Sequence, residues 1–163
     1  IPANKRGLFL LELEENLMLF STGTTRKSSD VLENQLTSIQ NQNTETINSL
    51  HYVKELAEDL HQSLKSSNLQ NFAEILNKGW NAKKKFTKGV TNERIDKIYE
   101  TAIASGAIGG KVTGAGGGGH MLFYCEKNKQ KRLKEKMESM NLNFVEFKFY
   151  KNSAKVLNLY DYI

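Results

Sequence analysis

Gly110-Lys111-Val112-Thr113-Gly114-Ala115-Gly116-Gly117-Gly118-Gly119 is the stretch on which the reading of this chain turns. Five of the 12 glycines lie between positions 114 and 119. An apolar run, His120-Met121-Leu122-Phe123-Tyr124-Cys125, follows at once and reads as a strand. A backbone with so few side chains adopts positive φ freely and approaches a ligand or another backbone closely. Its N–H groups can converge on an anion, with Lys111 and Thr113 adding a charge and a hydroxyl. A flexible hairpin turn accounts for the same composition, so both readings stand until the rest of the chain is weighed.

With 163 residues the chain is sized for one domain with a real core, and no linker, repeat or low-complexity tract divides it. A net charge of +5 suits an anionic ligand. No block of aromatics interleaves with basic residues, which favours a small anion over nucleic acid. No apolar run reaches transmembrane length, so no membrane partner is expected. The lone Cys125 has no internal disulfide partner; a buried, inert thiol in a reducing, cytoplasmic setting is expected. The chain opens with Ile1-Pro2 in place of methionine, as a fragment or a processed product would.

Upstream, Leu8 to Leu13 reads as a buried strand, Glu14-Glu15-Asn16 as a turn, and Leu17 to Phe20 as the second strand of a hairpin. A hydroxyl-rich loop follows, Ser21-Thr22-Gly23-Thr24-Thr25-Arg26-Lys27-Ser28-Ser29. It leads into a helix from Asp30 to about Gln42 with Leu32, Leu36 and Ile39 on one face, capped by Ser28 or Ser29. The loop reads either as a phosphate site of hydroxyls, free helix N–H groups and a forked arginine, or as an ordinary cap beside solvated cations.

Three further helices follow from periodicity. One spans Thr44 to Ser66, with Thr44 as its cap and Ile47, Leu50, Val53, Ala57, Leu60 and Leu64 inward. Another opens at a Ser67-to-Gln70 capping box and carries Leu69, Phe72, Ala73, Leu76 and Trp80. The third is capped by Thr91, with Ile95, Ile98, Tyr99 and Ala102 inward and Gly106 at its end. His51 and His61 lie ten positions apart on one helix and form no metal pair. Lys83-Lys84-Lys85 reads as a basic helix end that complements the dipole, or as a source of charge for an anionic substrate. A helix from about Asn128 to Met140 turns Leu133, Met137 and Met140 inward, and Asn143 to Tyr150 alternates as a half-exposed strand; Ala154 to Tyr160 is a candidate for one more. The order of elements predicts an α+β fold, with helices packed on one face of a small antiparallel sheet.

Lys111-x-Thr113-Gly114-Ala115-Gly116-Gly117-Gly118-Gly119 resembles the third motif of the GHMP small-molecule kinases, K-x-T-G-A-G-x-G-G. Leu19 to Arg26 resembles the strand and T-G-x-x-R segment that opens the C-terminal half in that family. The stretches Leu76 to Lys84 and Thr91 to Asp96 are most similar to its D-glycero-D-manno-heptose 7-phosphate kinase branch. The resemblance spans essentially the whole chain, in register. The family's ATP loop, P-x-x-x-G-L-G-S-S-A, does not occur in this sequence. His120 departs from the apolar residue usual after the glycines.

The resemblance implies that residues 1–163 are the C-terminal domain of such a kinase, with a ferredoxin-like α+β fold. An N-terminal half would supply the ATP loop and the catalytic acid, leaving no catalytic or metal-binding residue here. It implies ATP and Mg2+ as cofactors, held mainly by that other half. Lys111, Thr113, Gly114, Ala115, Gly116, Gly117 and Gly118 would shape the nucleotide and phosphate pocket. Thr22, Gly23, Thr24, Thr25, Arg26, Ser28 and Lys83 would bind the sugar phosphate. The reaction implied is phosphorylation of the anomeric hydroxyl of a heptose 7-phosphate, with the chain inactive by itself. A kinase for fucose or galactose and a non-catalytic ligand-binding α+β module are the alternatives.

Overall fold

The computed structural model describes residues 3–24 and 27–150, with side chains from residue 7 onward. Thr25, Arg26 and the strand expected within 154–160 lie outside the described residues. In chain order the elements are α1 (Ala3–Asn16), β1 (Leu17–Ser21), α2 (Ser28–Gln40), α3 (Thr44–Lys65), α4 (Leu69–Lys83), α5 (Glu93–Ala104), β2 (Ala107–Val112), β3 (His120–Cys125), α6 (Lys127–Ser139) and β4 (Asn143–Val145). The strands form one antiparallel sheet in the order β2-β3-β1-β4. The architecture is α+β, as the order of elements predicts, but the helices are not confined to one face of the sheet: α5 and α6 pack on one side of β3, and α1 with the start of α4 on the other.

The first element corrects the sequence reading. Leu8 to Leu13 is not a strand, and no hairpin precedes Leu17. The segment is α1, in which Phe9, Leu13 and Asn16 are buried while Leu8, Leu10 and Leu11 are exposed. Burial at positions 9, 13 and 16 is the i, i+4, i+7 stripe of a helix, and an unbroken leucine run hides that period. β1 then pairs at the centre of the sheet with β3, Leu17 opposite Tyr124 and Ser21 opposite His120.

β3 alternates across the sheet. Met121, Phe123 and Cys125 enter the larger core cluster with Phe20, Trp80, Ile95, Ile98, Leu133 and Met137. Leu122 and Tyr124 face a second cluster formed with Phe9 and Leu13 of α1 and Phe72 and Ala73 of α4. β2, which the sequence reading does not anticipate, is formed by residues 107–112 and pairs with β3. Gly109 is required there, because a Cβ would stand 2.0 Å from the Ala73 carbonyl oxygen of α4. That contact fixes α4 directly against the strand that feeds the loop. Tyr99 of α5 ties the same layer together by donating to Asn77 Oδ1 at 2.8 Å. Burial pushes its hydroxyl up to about 12, partly offset by a hydrogen bond with the Gly110 backbone.

Several boundaries shift. The caps are Asn43, Asn68 and Asn92, each accepting from the backbone N–H three residues on, in place of Thr44, Ser67 and Thr91. α2 starts at Ser28 itself, preceded by Lys27, so neither Ser28 nor Ser29 is its cap. On α2 the buried residue is Val31, whereas Leu32, Leu36 and Ile39 are exposed. On α3, Ala57 is exposed and Thr46, Ser49, Leu56 and Ser63 are buried instead. β4 stops at Val145, five residues short of Tyr150. The inward faces expected for α5 and α6 hold, with Ile95, Ile98, Tyr99, Ala102, Leu133 and Met137 all buried. Cys125 is buried and unpaired, and burial first of all raises its thiol to about 11.

Candidate functional site

The glycine loop joins β2 to β3. Its hydrogen bonds divide it into anchored and free positions. Thr113 N–H donates to the His120 carbonyl at 2.9 Å and closes the hairpin. Gly117 N–H donates to the Val90 carbonyl and Gly119 N–H to the Thr24 carbonyl, both at 2.8 Å. The N–H groups of Gly114, Ala115, Gly116 and Gly118 have no partner among the described residues. Gly114 and Gly116 to Gly119 all have positive φ. At Gly116 the close approach is decisive as well, since a Cβ would stand 2.5 Å from the Val90 carbonyl oxygen.

The hydroxyl loop after β1 meets this turn. Thr22 is buried; its N–H and its hydroxyl both donate to the Gly119 carbonyl, at 2.8 and 2.9 Å. The Thr22 and Thr24 hydroxyls lie 3.0 Å apart. Two segments almost a hundred residues apart in sequence are therefore laced into one wall by register: Ser21 opposite His120 places the residues after each strand side by side.

A cavity of about 220 Å³ opens beside that wall, lined by Ser28 at the start of α2 together with Thr113–Gly116, Gly118–Gly119 and His120. Lys83, on the last turn of α4, reaches across and donates to the Gly114 carbonyl. Burial, and then repulsion from Lys111, lowers the Lys83 ammonium below the ordinary lysine value. No carboxylate lies within ion-pair distance of Lys83 or Lys111 among the described residues. N–H groups without a partner among the described residues, a helix N-terminus and Lys83 at the edge are features that suit an anion with several acceptor oxygens.

The structure thus gathers Thr22, Thr24, Ser28, Thr113, Gly114, Ala115, Gly116 and Gly118 about one spot, with Lys83 at its edge. Lys111 lies on β2 opposite Leu122, where its charge acts on Lys83 without lining the cavity. Gly117 serves as an anchor to Val90, and Gly23, at positive φ, turns the hydroxyl loop. Three braces are absent from the sequence-level site. Val90 supplies the carbonyl, Asn92 Nδ2 donates to the Gly117 carbonyl at 3.3 Å, and Arg94 donates to the Thr22 carbonyl at 3.1 Å. Asn92 and Arg94 stand in the Thr91-to-Asp96 stretch that carries part of the family resemblance, which was the available signal. No group of three or more metal-binding side chains occurs among the described residues, and no helix among them is long and apolar enough to cross a membrane.

Residues 55–142 match the family described as GHMP kinases C terminal. The chain is 30% identical over 154 residues to a D-glycero-alpha-D-manno-heptose 7-phosphate kinase of Campylobacter jejuni, covering 94% of this chain and 45% of that protein. It is 28% identical to the bifunctional fucokinase/GDP-fucose pyrophosphorylase of Arabidopsis thaliana, covering 85% of this chain and 13% of that one. Its fold superposes on L. major mevalonate kinase in complex with R-mevalonate with a TM-score of 0.69 at 17% identity, over 76% of this chain and 37% of that one. The chain thus spans less than half the length of each of these proteins. The matched stretch runs from α3 through α6 and contains the glycine loop, Lys83 and all three braces, and on that ground the chain belongs to the GHMP kinase C-terminal family.

Proposed function

We propose that this chain is the C-terminal, substrate-binding half of an ATP-dependent sugar kinase, acting on the anomeric hydroxyl of a heptose 7-phosphate. The observation that carries the reading is the locking of the 22–24 and 113–120 loops around one cavity, with four N–H groups that have no partner among the described residues and Lys83 beside it. Phosphoryl transfer is catalysed mainly by positioning and by neutralising charge on the phosphoryl oxygens. Bound Mg·ATP would supply the phosphoryl group and part of that neutralisation. From this chain, the N–H groups of Gly114, Ala115, Gly116 and Gly118 would hold phosphate oxygens, and Lys83 and Lys111 would balance their charge. The hydroxyls of Thr24 and Ser28, with Thr25 and Arg26 in the same loop by sequence, would hold the acceptor's own phosphate, while Thr22, its hydroxyl committed to the Gly119 carbonyl, would keep that loop in place. The metal would be held by carboxylates from another half of the kinase, along with the ATP loop.

The heptose 7-phosphate reading is supported by the Campylobacter relative's name and by the basic, hydroxyl-rich loop, which suits a phosphorylated acceptor better than a neutral sugar. The test is phosphoryl transfer by this chain joined to an N-terminal half carrying the ATP loop, with heptose 7-phosphate, fucose and galactose offered separately. The expected result is a kcat/KM for heptose 7-phosphate at least about tenfold above the others, since a site built for a phosphate rejects acceptors that leave it unpaired. Preference for fucose or galactose would move the chain to another sugar branch. Absence of transfer to all three would leave a non-catalytic ligand-binding domain.

A further inference from the structure

A second and larger cleft, of about 710 Å³, lies between α3 and α4, and none of the residues lining it lines the glycine-loop cavity. Its volume falls within the roughly 300–1,000 Å³ of small-molecule sites. Each wall is a single helix face. Glu45, Asn48, Ser49 and Tyr52 recur at three- and four-residue spacing on α3, as do Lys78, Asn81, Ala82 and Lys85 along and just beyond α4. Ser49 and Ala82, at 7% and 6% exposure, form the floor.

The polar groups around that floor are exposed and largely uncommitted among the described residues. Asn48, the Tyr52 hydroxyl and Lys78 have no hydrogen-bond or ion-pair partner among the described residues. The Asn81 amide donates to Asn77 Oδ1 at 3.1 Å, leaving its own carbonyl oxygen open. Lys85 meets Glu45 only at 3.9 Å, with both side chains more than half exposed, a pairing that holds neither in place. Tyr52, 43% exposed, presents an aromatic ring at the mouth.

We propose that this cleft is a second small-molecule site, for a phosphorylated, hydroxyl-rich ligand of the sugar phosphate class. Each part of such a ligand has a counterpart. Lys78 and Lys85 supply donors for a phosphate dianion. The Glu45 carboxylate and the Asn48 and Asn81 amides offer acceptors and donors for sugar hydroxyls. The Tyr52 ring offers an apolar platform for the C–H face of the sugar, with its hydroxyl as a polar handle. A nucleic acid or an acidic protein would want a broader field of positive charge than two lysines facing one glutamate. The site stands on the α3–α4 geometry and does not rest on the kinase reading of the glycine loop.

The test is amide chemical-shift titration of the 163-residue chain with glucose 6-phosphate, glucose and inorganic phosphate as probes. Glucose 6-phosphate is expected to perturb residues 44–52 and 78–85, and to do so equally in Thr22→Val, which alters only the loop site. A Lys78→Ala/Lys85→Ala double variant should weaken that binding by about tenfold or more while keeping the wild-type Tm, as the loss of charge-assisted contacts implies. Tyr52→Ala should weaken the two sugars and leave inorganic phosphate unaffected. In the joined kinase, the double variant should leave the acceptor's KM unchanged, the acceptor being placed at the 22–28 loop, and should remove any effect of added sugar phosphate; a raised acceptor KM would make the cleft the acceptor site and overturn its standing as a second one. Perturbations confined to residues 113–120, or wild-type affinity in the double variant, would overturn the proposal without touching the reading of the glycine loop. Loss of loop perturbations alone would count against that reading and not against the cleft.

Discussion

Lys83 concentrates the chemistry of the loop site in one side chain. It is held between a carbonyl that wants its proton and a half-buried setting, beside Lys111, that disfavours its charge. The folded pKa is lowered, so between that value and 10.5 the unfolded chain holds a proton that the folded chain has shed. Stability therefore rises with pH across that window, and at neutral pH the charged Lys83 is a cost to the fold. An anion bound beside it reverses the balance by favouring the ammonium. Phosphate binding at alkaline pH should thus be accompanied by proton uptake, read by calorimetry in buffers of different ionisation enthalpy. Lys83→Met should abolish the uptake; uptake that survives the substitution would assign the proton to another group. Gly116 makes the complementary point through backbone alone. Its positive φ and the 2.5 Å approach of the Val90 oxygen leave no room for a methyl group. Gly116→Ala should cost on the order of 2 kcal/mol in urea denaturation, as strain at such positions does. An unchanged midpoint would mean the loop tolerates a shift away from Val90.

At the level of elements, α1 shows what a leucine-rich run conceals and how to test the answer. The period of Phe9, Leu13 and Asn16 is invisible when Leu8, Leu10 and Leu11 fill the gaps, because an apolar run of this length fits a buried strand equally well. The helix assignment separates neighbours that a strand buried on both faces would treat alike. Leu13→Ala, at 6% exposure, should cost roughly 2–4 kcal/mol, and Leu11→Ala, at 56% exposure, well under about 1 kcal/mol. Equal losses at the two positions would favour the strand. α5 and α6 were legible because charged residues punctuate their apolar positions and leave the 3.6-residue period in plain view. β2 was not, since Gly109 and Gly110 look like loop residues until the helix packed on them is known. The asparagine caps were obscured by neighbouring hydroxyl residues, Thr44, Ser67 and Thr91, that satisfy the same rule. The site itself divides along similar lines. Its glycines and threonines announce themselves by type, whereas Val90 acts through a carbonyl that accepts from the Gly117 N–H, and Asn92 and Arg94 through an amide and a guanidinium that donate to backbone oxygens, contacts that only the folded chain brings together.

For the whole molecule, the decisive property is how one-sided the loop site is. The described residues contribute donors and positive charge but no cluster of carboxylates that would hold a divalent cation. The sequence contains no P-x-x-x-G-L-G-S-S-A loop for the nucleotide. α1 and α2 meanwhile carry Leu8, Leu11, Leu32 and Leu36 at 51–68% exposure. The chain also spans 45% of the heptose 7-phosphate kinase it resembles. On the proposed reading, anion binding and phosphoryl transfer should separate cleanly. The purified 163-residue chain should bind inorganic phosphate at the loop, weakened by Lys83→Met, yet transfer no phosphoryl group from Mg·ATP to any sugar at any acceptor concentration. Joining it to an N-terminal half with the ATP loop should create transfer that retains the same Lys83 dependence. Turnover by the isolated chain would place a nucleotide site and a metal site among its own residues and overturn the division of labour. Transfer by the joined protein that ignores Lys83 would instead detach the glycine-loop cavity from catalysis and leave its anion a structural ligand.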